Sequence, residues 1–194
     1  ACHPSGALSL NLQRVDAPAV GKHWTDHMVI QLSTPVREGF TRPGSHGIQV
    51  LARVSAPSSP YSNDLQITPW CERVGKRDYN LNLSVSLQQP FGEASIAATS
   101  AQPEARGDYA WPFPGEARNI ERLRFGYRLA ARILASADVS REPEELARAE
   151  AASDAELDRW IAEHHGAFYH GVGSCRMGER DGDPLALDLS VRGT

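Results

Sequence analysis

The stretch Gly166-Ala167-Phe168-Tyr169-His170-Gly171-Val172-Gly173-Ser174-Cys175-Arg176-Met177-Gly178 sets a single histidine among glycines. Glycine tolerates sharp bends and the close approach of other atoms, so such a loop can present a side chain into a cleft. Imidazole, with an ordinary pKa of about 6.5, takes up a proton near neutral pH, which suits a general base. On residue type alone, a structural role is the commoner one for a histidine in this setting. His23, Asp26 and His27 are of metal-ligand types, but the glycine and proline nearby argue against the helix that would bring the two histidines together. No metal is expected there, and His27 reads as a hydrogen-bonded residue at a domain junction. Glu179, Asp181 and Asp183 lack the ligand spacing and the later glutamate of a calcium loop and read as a polar surface turn. Cys175 lies five residues from His170 with no third group to orient the pair, which predicts a small buried residue and not a nucleophile. His164 and His165 close a predicted helix, where a cation suits the dipole. Trp70, Tyr109, Trp111 and Phe113 would either line an apolar pocket or belong to a core, the core being the simpler reading.

The elements that must hold these residues change character along the chain. Met28 to Leu32, Ile48 to Ala52, Asp64 to Thr68 and Glu93 to Thr99 are short and strand-like, separated by turns rich in Pro, Ser and Gly. Leu81 to Leu87 alternates apolar and polar residues, which predicts a strand with one face on a core and one on solvent. From Asn119 to Ser136 the period becomes helical, with Ile120, Leu123, Tyr127, Ala130, Ile133 and Leu134 on one face and Arg122, Arg124 and Arg128 largely elsewhere. Pro143 to Ala152 reads as a helix or a solvated connector. Ser153 and Glu156 have capping-box spacing ahead of Leu157, Trp160 and Ile161, which predicts a further helix.

Composition restricts the function classes. The 194 residues carry 20 basic against 24 acidic side chains, a formal charge of -4, so nucleic-acid binding has no cationic surface to rest on. No apolar run approaches the roughly 18 residues that span a bilayer. Cys2, Cys71 and Cys175 are scattered and odd in number, which argues against a disulfide framework and predicts a cytoplasmic setting. The start at Ala1 and the stop at Arg192-Gly193-Thr194 suggest a piece of a longer protein.

Tyr169 to Gly178 resembles the His-x-x-Gly-Thr-x-x-Met-Gly signature of the glucose-methanol-choline (GMC) oxidoreductases, with Ser174 in place of the usual Thr. Other stretches are similar in the family's order: Val20 to His27 to its Val-Gly-x-Asn-Leu-x-Asp-His segment, with His23 and Trp24 departing from Asn-Leu; Pro60 to Gln66 to a strand of the substrate-side sheet; Asn119 to Ala130 to a long helix; and Asp183 to Gly193 to its closing run. Pro90-Phe91-Gly92-Glu93 departs from the family's Ser-Arg-Gly. The resemblance implies an α+β substrate-binding domain, an antiparallel sheet backed by helices, without the Rossmann-like FAD domain. It divides the chain into a junction segment (1–45), a substrate-binding domain (46–168) and a catalytic-histidine loop with a return toward the flavin domain (169–194). It implies FAD as cofactor and a small alcohol as substrate, with His170 as catalytic base and Asp26, His27, Gly173 and Ser174 near the cofactor. No Gly-x-Gly-x-x-Gly turn occurs in the sequence, so the pyrophosphate-binding turn and the FAD-binding domain would precede residue 1, and the family's second catalytic His or Asn would follow Thr194. The competing expectation is a binding module that keeps this fold without flavin.

Overall fold

The computed structural model describes residues 17–40, 44, 46–76, 78–100, 102, 104–136, 138–180 and 182–193. The expectations for Cys2, for Asp181 and for the first sixteen residues of the junction segment lie outside them. The chain forms two compact units: His27–Phe91 with Glu116–Phe168, and the described parts of Ala1–Asp26, Gly92–Gly115 and Tyr169–Thr194.

The first unit is an antiparallel sheet backed by helices. Its strands are β1 (Met28–Pro35), β2 (Ala52–Val54), β3 (Leu65–Arg73), β4 (Tyr79–Leu87) and, numbered after two strands of the other unit, β7 (Gly166–Ala167), arranged β2-β3-β4-β1-β7. Registers such as Ile30↔Val85 and Ile67↔Val85 align Met28, Ile30, Leu32, Leu65, Ile67, Leu83, Val85 and Leu87 on one buried face. Helix α1 (Ala117–Ser136) lies on that face with Ile120, Leu123, Ala130 and Leu134 buried. Gly126 falls mid-helix, where glycine costs about 0.5–1 kcal/mol relative to alanine. A Cβ there would run into Cγ1 of Val85, so the bare backbone is what lets the helix approach the sheet. Helices α2 (Pro143–Ala151) and α3 (Asp154–His164) follow, and the expected capping box is formed: Ser153 Oγ accepts from the Glu156 N–H, and the Glu156 carboxylate accepts from the Ser153 N–H.

Several expectations are corrected. Ile48 to Leu51 lies outside any strand, and β2 pairs only from Ala52 to Val54. Two residues beyond Ile67, the partner of Ala52, β3 carries Pro69, whose ring nitrogen has no hydrogen to offer a ladder. The polar face of β4 is buried and not solvated, because β4 is flanked by β1 and β3 and longer side chains cover its small residues. Gln31 Nε2 donates to Asn82 Oδ1 at 3.1 Å, Trp70 Nε1 to Ser84 Oγ at 3.0 Å, and Gln88 Nε2 to Ser86 Oγ at 2.8 Å. Ile133 is exposed while Arg122, placed outside the apolar face of the helix by its charge, is only 1% exposed.

Arg122 stays buried because its guanidinium is fully engaged. It donates to Asp64 Oδ2 at 3.2 Å, to the Gln89 carbonyl at 3.1 Å from two nitrogens, and to Asn119 Oδ1 at 2.9 Å, and it lies 4.6 Å from the centroid of the Phe91 ring. Burial pushes its pKa down while the hydrogen bond it donates to Asp64 acts in the opposite sense. Removing one partner of such a pair strands the other charge in the interior. Arg122→Ala is therefore expected to destabilise the protein by about 3–5 kcal/mol in urea unfolding, whereas Arg124→Ala, whose ion pairs reach exposed carboxylates, costs about 1 kcal/mol or less.

Candidate active-site loop around His170

The second unit is held by backbone pairing between segments far apart in sequence. Strands β5 (Ser95–Ala97) and β6 (Asp108–Ala110) form a short antiparallel ladder. Against it runs the segment 21–25: Ile96 N–H donates to Gly21 O at 2.8 Å, and Trp24 and Ala94 exchange both backbone bonds at 3.2 and 2.8 Å. The histidine loop pairs with the same segment. Thr25 and Val172 exchange both bonds at 2.9 Å, and the Gly21 N–H donates to the Ser174 carbonyl at 2.7 Å.

The glycines of the loop are explained by this pairing. Gly173 has φ +89°, and a Cβ there would meet the His23 carbonyl oxygen; a Cβ on Gly171 would meet the indole nitrogen of Trp24. Trp24 in turn packs on Trp111 (centroids 5.4 Å apart) and edge-on to Tyr109 (6.5 Å), and Trp111 packs on Phe113 (4.5 Å). Phe113 is buried as core, whereas Tyr109 is exposed, so the expected aromatic core holds for part of this group.

His170 is exposed, between the glycine-rich turn and Tyr169, a non-glycine residue at φ +61°. Left-handed backbone costs an ordinary residue roughly 1–2 kcal/mol. The His170 N–H donates to Asp26 Oδ1 at 3.0 Å, and Asp26 is 2% exposed. Of the residues expected beside the cofactor, Asp26, Gly173 and Ser174 are thus brought to the His170 loop. His27 belongs to the other unit, where its carbonyl accepts from the Phe168 N–H at 3.0 Å and its ring lies 6.4 Å from that of Phe168. Among the described residues no group of three or more His, Cys, Asp or Glu side chains is arranged to hold a metal. Cys175 is exposed, against expectation, because its neighbours in the turn are fixed by backbone bonds and not by burial in an apolar core. His164 and His165 do close α3, their Nδ1 atoms within hydrogen-bond distance of the Trp160 and Ile161 carbonyls.

Asp183, expected in a polar surface turn, is instead buried in a clamp below the loop, held there by charged and backbone donors that no local pattern marks. Arg176 donates through Nε and a terminal nitrogen to Asp183 Oδ1 at 2.8 and 2.6 Å, the Arg180 N–H donates to Asp183 Oδ2 at 3.0 Å, and Leu185 N–H reaches back to the Arg176 carbonyl. The Arg176 hydrogen bond holds the Asp183 carboxyl below its usual range. No helix among the described residues is long and apolar enough to cross a membrane.

The antiparallel sheet backed by helices is an α+β architecture. The family model for GMC oxidoreductase matches residues 90–193, and the chain belongs to that family. It is 27% identical over 117 residues to an oxygen-dependent choline dehydrogenase of Rhizobium johnstonii, an alignment covering 59% of this chain and 21% of the relative. It is 32% identical over 118 residues to versicolorin B synthase of Aspergillus parasiticus, covering 57% and 18%. The chain thus spans about a fifth of the length of the curated relatives it matches. Among solved structures it is similar to formate oxidase of Aspergillus oryzae RIB40, in which FAD modification has been studied, with a TM-score of 0.74 at 18% identity over 92% of this chain and 42% of the other. It is similar too to pyridoxine 4-oxidase of Mesorbium loti, with a TM-score of 0.66 at 15% identity over 92% and 37%. These likenesses establish the α+β fold.

Two outcomes follow for the loop and its clamp. Gly173→Ala combines a disfavoured φ with a collision on the His23 carbonyl, and is expected to shift the backbone amide resonances of 170–174 while leaving those of β4 in place. Because the Asp183 pKa is lowered on folding, its contribution is present above the ordinary carboxylate pKa of about 4 and is lost as pH falls further. Amide exchange at Gly178 and Leu185, corrected for intrinsic rates, is expected to accelerate below about pH 4, and Asp183→Asn to remove most of that pH dependence.

Proposed function

We propose that this chain forms the substrate side of an FAD-dependent oxidoreductase acting on the CH–OH group of a small alcohol, with His170 as general base. The carrying observation is the exposed imidazole on a backbone fixed at Asp26, Thr25 and Gly21, since a base must be held in place and yet be open to its substrate. Family membership and the choline dehydrogenase relatives support an alcohol donor, and the formate oxidase fold supports FAD.

The residues present fit one part of a flavin site. Tyr169, His170 and Val172 are each exposed, so a base and apolar side chains are available at the surface of this loop, while the sequence has no Gly-x-Gly-x-x-Gly turn for the pyrophosphate. In this reading Asp26, His27, Gly173 and Ser174 lie near the cofactor, and an FAD-binding domain of the longer protein supplies the rest of its contacts. Residues 46–168 bear the substrate, 169–194 carry the base and 1–45 form the junction. When bound, the flavin supplies a hydride acceptor. His170 takes the hydroxyl proton as the carbon–hydrogen bond breaks, so the alcohol leaves as a carbonyl compound with two electrons and two protons fewer. The free thiols of Cys71 and Cys175 suit a reducing cytoplasm.

The competing reading is a binding module that keeps this fold without flavin. The two are separated by the visible flavin spectrum of the chain produced together with its surrounding coding sequence, followed by anaerobic addition of alcohols. Bleaching by an alcohol, slowed about 10²–10⁴-fold in His170→Gln, is the expected result. Absence of flavin would leave the binding module.

A further inference from the structure

Tyr169 presents an unusual combination. Its backbone is left-handed at φ +61°, yet its side chain is 93% exposed, so little side-chain packing is available to hold that conformation. Backbone hydrogen bonds of the residues that follow supply a restraint. The next amide, that of His170, donates to the buried Asp26 carboxylate at 3.0 Å, and two residues further Val172 is bonded in both directions to Thr25, the neighbour of Asp26. The imidazole therefore leaves the loop from a peptide unit bracketed on both sides by consecutive residues of one segment. Asp26 is too buried to offer a ligand much surface, and the oxygen seen engaged points at the backbone of His170.

We infer that Asp26 is a positioning residue: by accepting the His170 N–H it holds Tyr169 in left-handed geometry and so fixes the direction in which the imidazole is presented. The consequence for catalysis rests on the reading of His170 as base, but the positioning itself does not. A charged acceptor makes the stronger hydrogen bond, and the amide oxygen of asparagine preserves its geometry without the charge. Glycine at 169 would enter the left-handed region without strain and relax the demand on Asp26.

The test uses NMR on the folded chain, observing the His170 amide and ring protons in Asp26→Asn, Asp26→Ala and Asp26→Ala/Tyr169→Gly. In Asp26→Ala the His170 amide is expected to exchange at least about tenfold faster and the ring signals to move or broaden, while β4 amides such as Val85 stay unchanged. Asp26→Asn is expected to stay within about threefold of the unsubstituted chain, and Tyr169→Gly to return the ring signals of the alanine variant toward their original positions. Unchanged His170 signals in Asp26→Ala would overturn the proposal. So would a loss of dispersion throughout the chain that Asn and Tyr169→Gly fail to restore, which would make Asp26 a support of the whole fold. No flavin or substrate enters these measurements. Failure of His170→Gln to slow alcohol oxidation would therefore defeat the base assignment and leave this result standing.

Discussion

The sheet-and-helix unit depends on one buried cation. Arg122 leaves α1 near its first turn and joins the loop entering β3, through Asp64, to the segment leaving β4, through the Gln89 carbonyl. Asp64 extends the connection: its other carboxylate oxygen accepts from the Ala56 N–H at 3.0 Å and its carbonyl from the Gln88 N–H at 2.7 Å. Asn119, one turn earlier on the helix, exchanges two hydrogen bonds with the backbone of Phe91 at 2.8 and 2.9 Å while also accepting from Arg122. Three chain segments thus share one guanidinium. Apolar packing of α1 on the sheet is non-directional and would tolerate sliding; the planar fork of an arginine fixes the register.

Periodicity alone cannot reveal such a group. The rule that separates apolar from charged helix positions placed α1 almost to the residue and recovered its core face, because those positions are decided by burial of hydrocarbon. It put Arg122 outside that face because the rule carries no information about partners that lie 58 residues away, as Asp64 does. The polar face of β4 was misplaced for a related reason: alternation reports that two faces differ, and a serine row covered by Gln31, Trp70 and Gln88 reads the same as one facing water. Local signals fared better where the physics is local, as in the Ser153 capping box, whose donors and acceptors lie within three residues.

In the histidine loop, the glycine spacing was legible and its cause was not. Gly171 and Gly173 announce close approach, but only the structure shows that the approaching groups are the Trp24 indole and the His23 carbonyl. The link from Asp26 to the His170 amide spans 144 positions and joins a side chain to a backbone atom, a pairing with no sequence pattern of its own. Family-like order carries no distances; the structure supplies one, pairing Thr25 with Val172 so that the backbones beside Asp26 and His170 run together.

The two units use different means to hold their shape. The sheet is fixed by a buried apolar face and a buried ion pair, which resist local opening. The histidine loop has exposed residues at 169–172 and also at 187–193, so it is held by reciprocal backbone bonds, by glycines and left-handed residues in tight turns, and by the Arg176–Asp183 clamp. Such a loop can keep a histidine exposed without burying its neighbours. Its order then rests on a few directional contacts and not on a buried core, which is the cost of holding these residues at a surface.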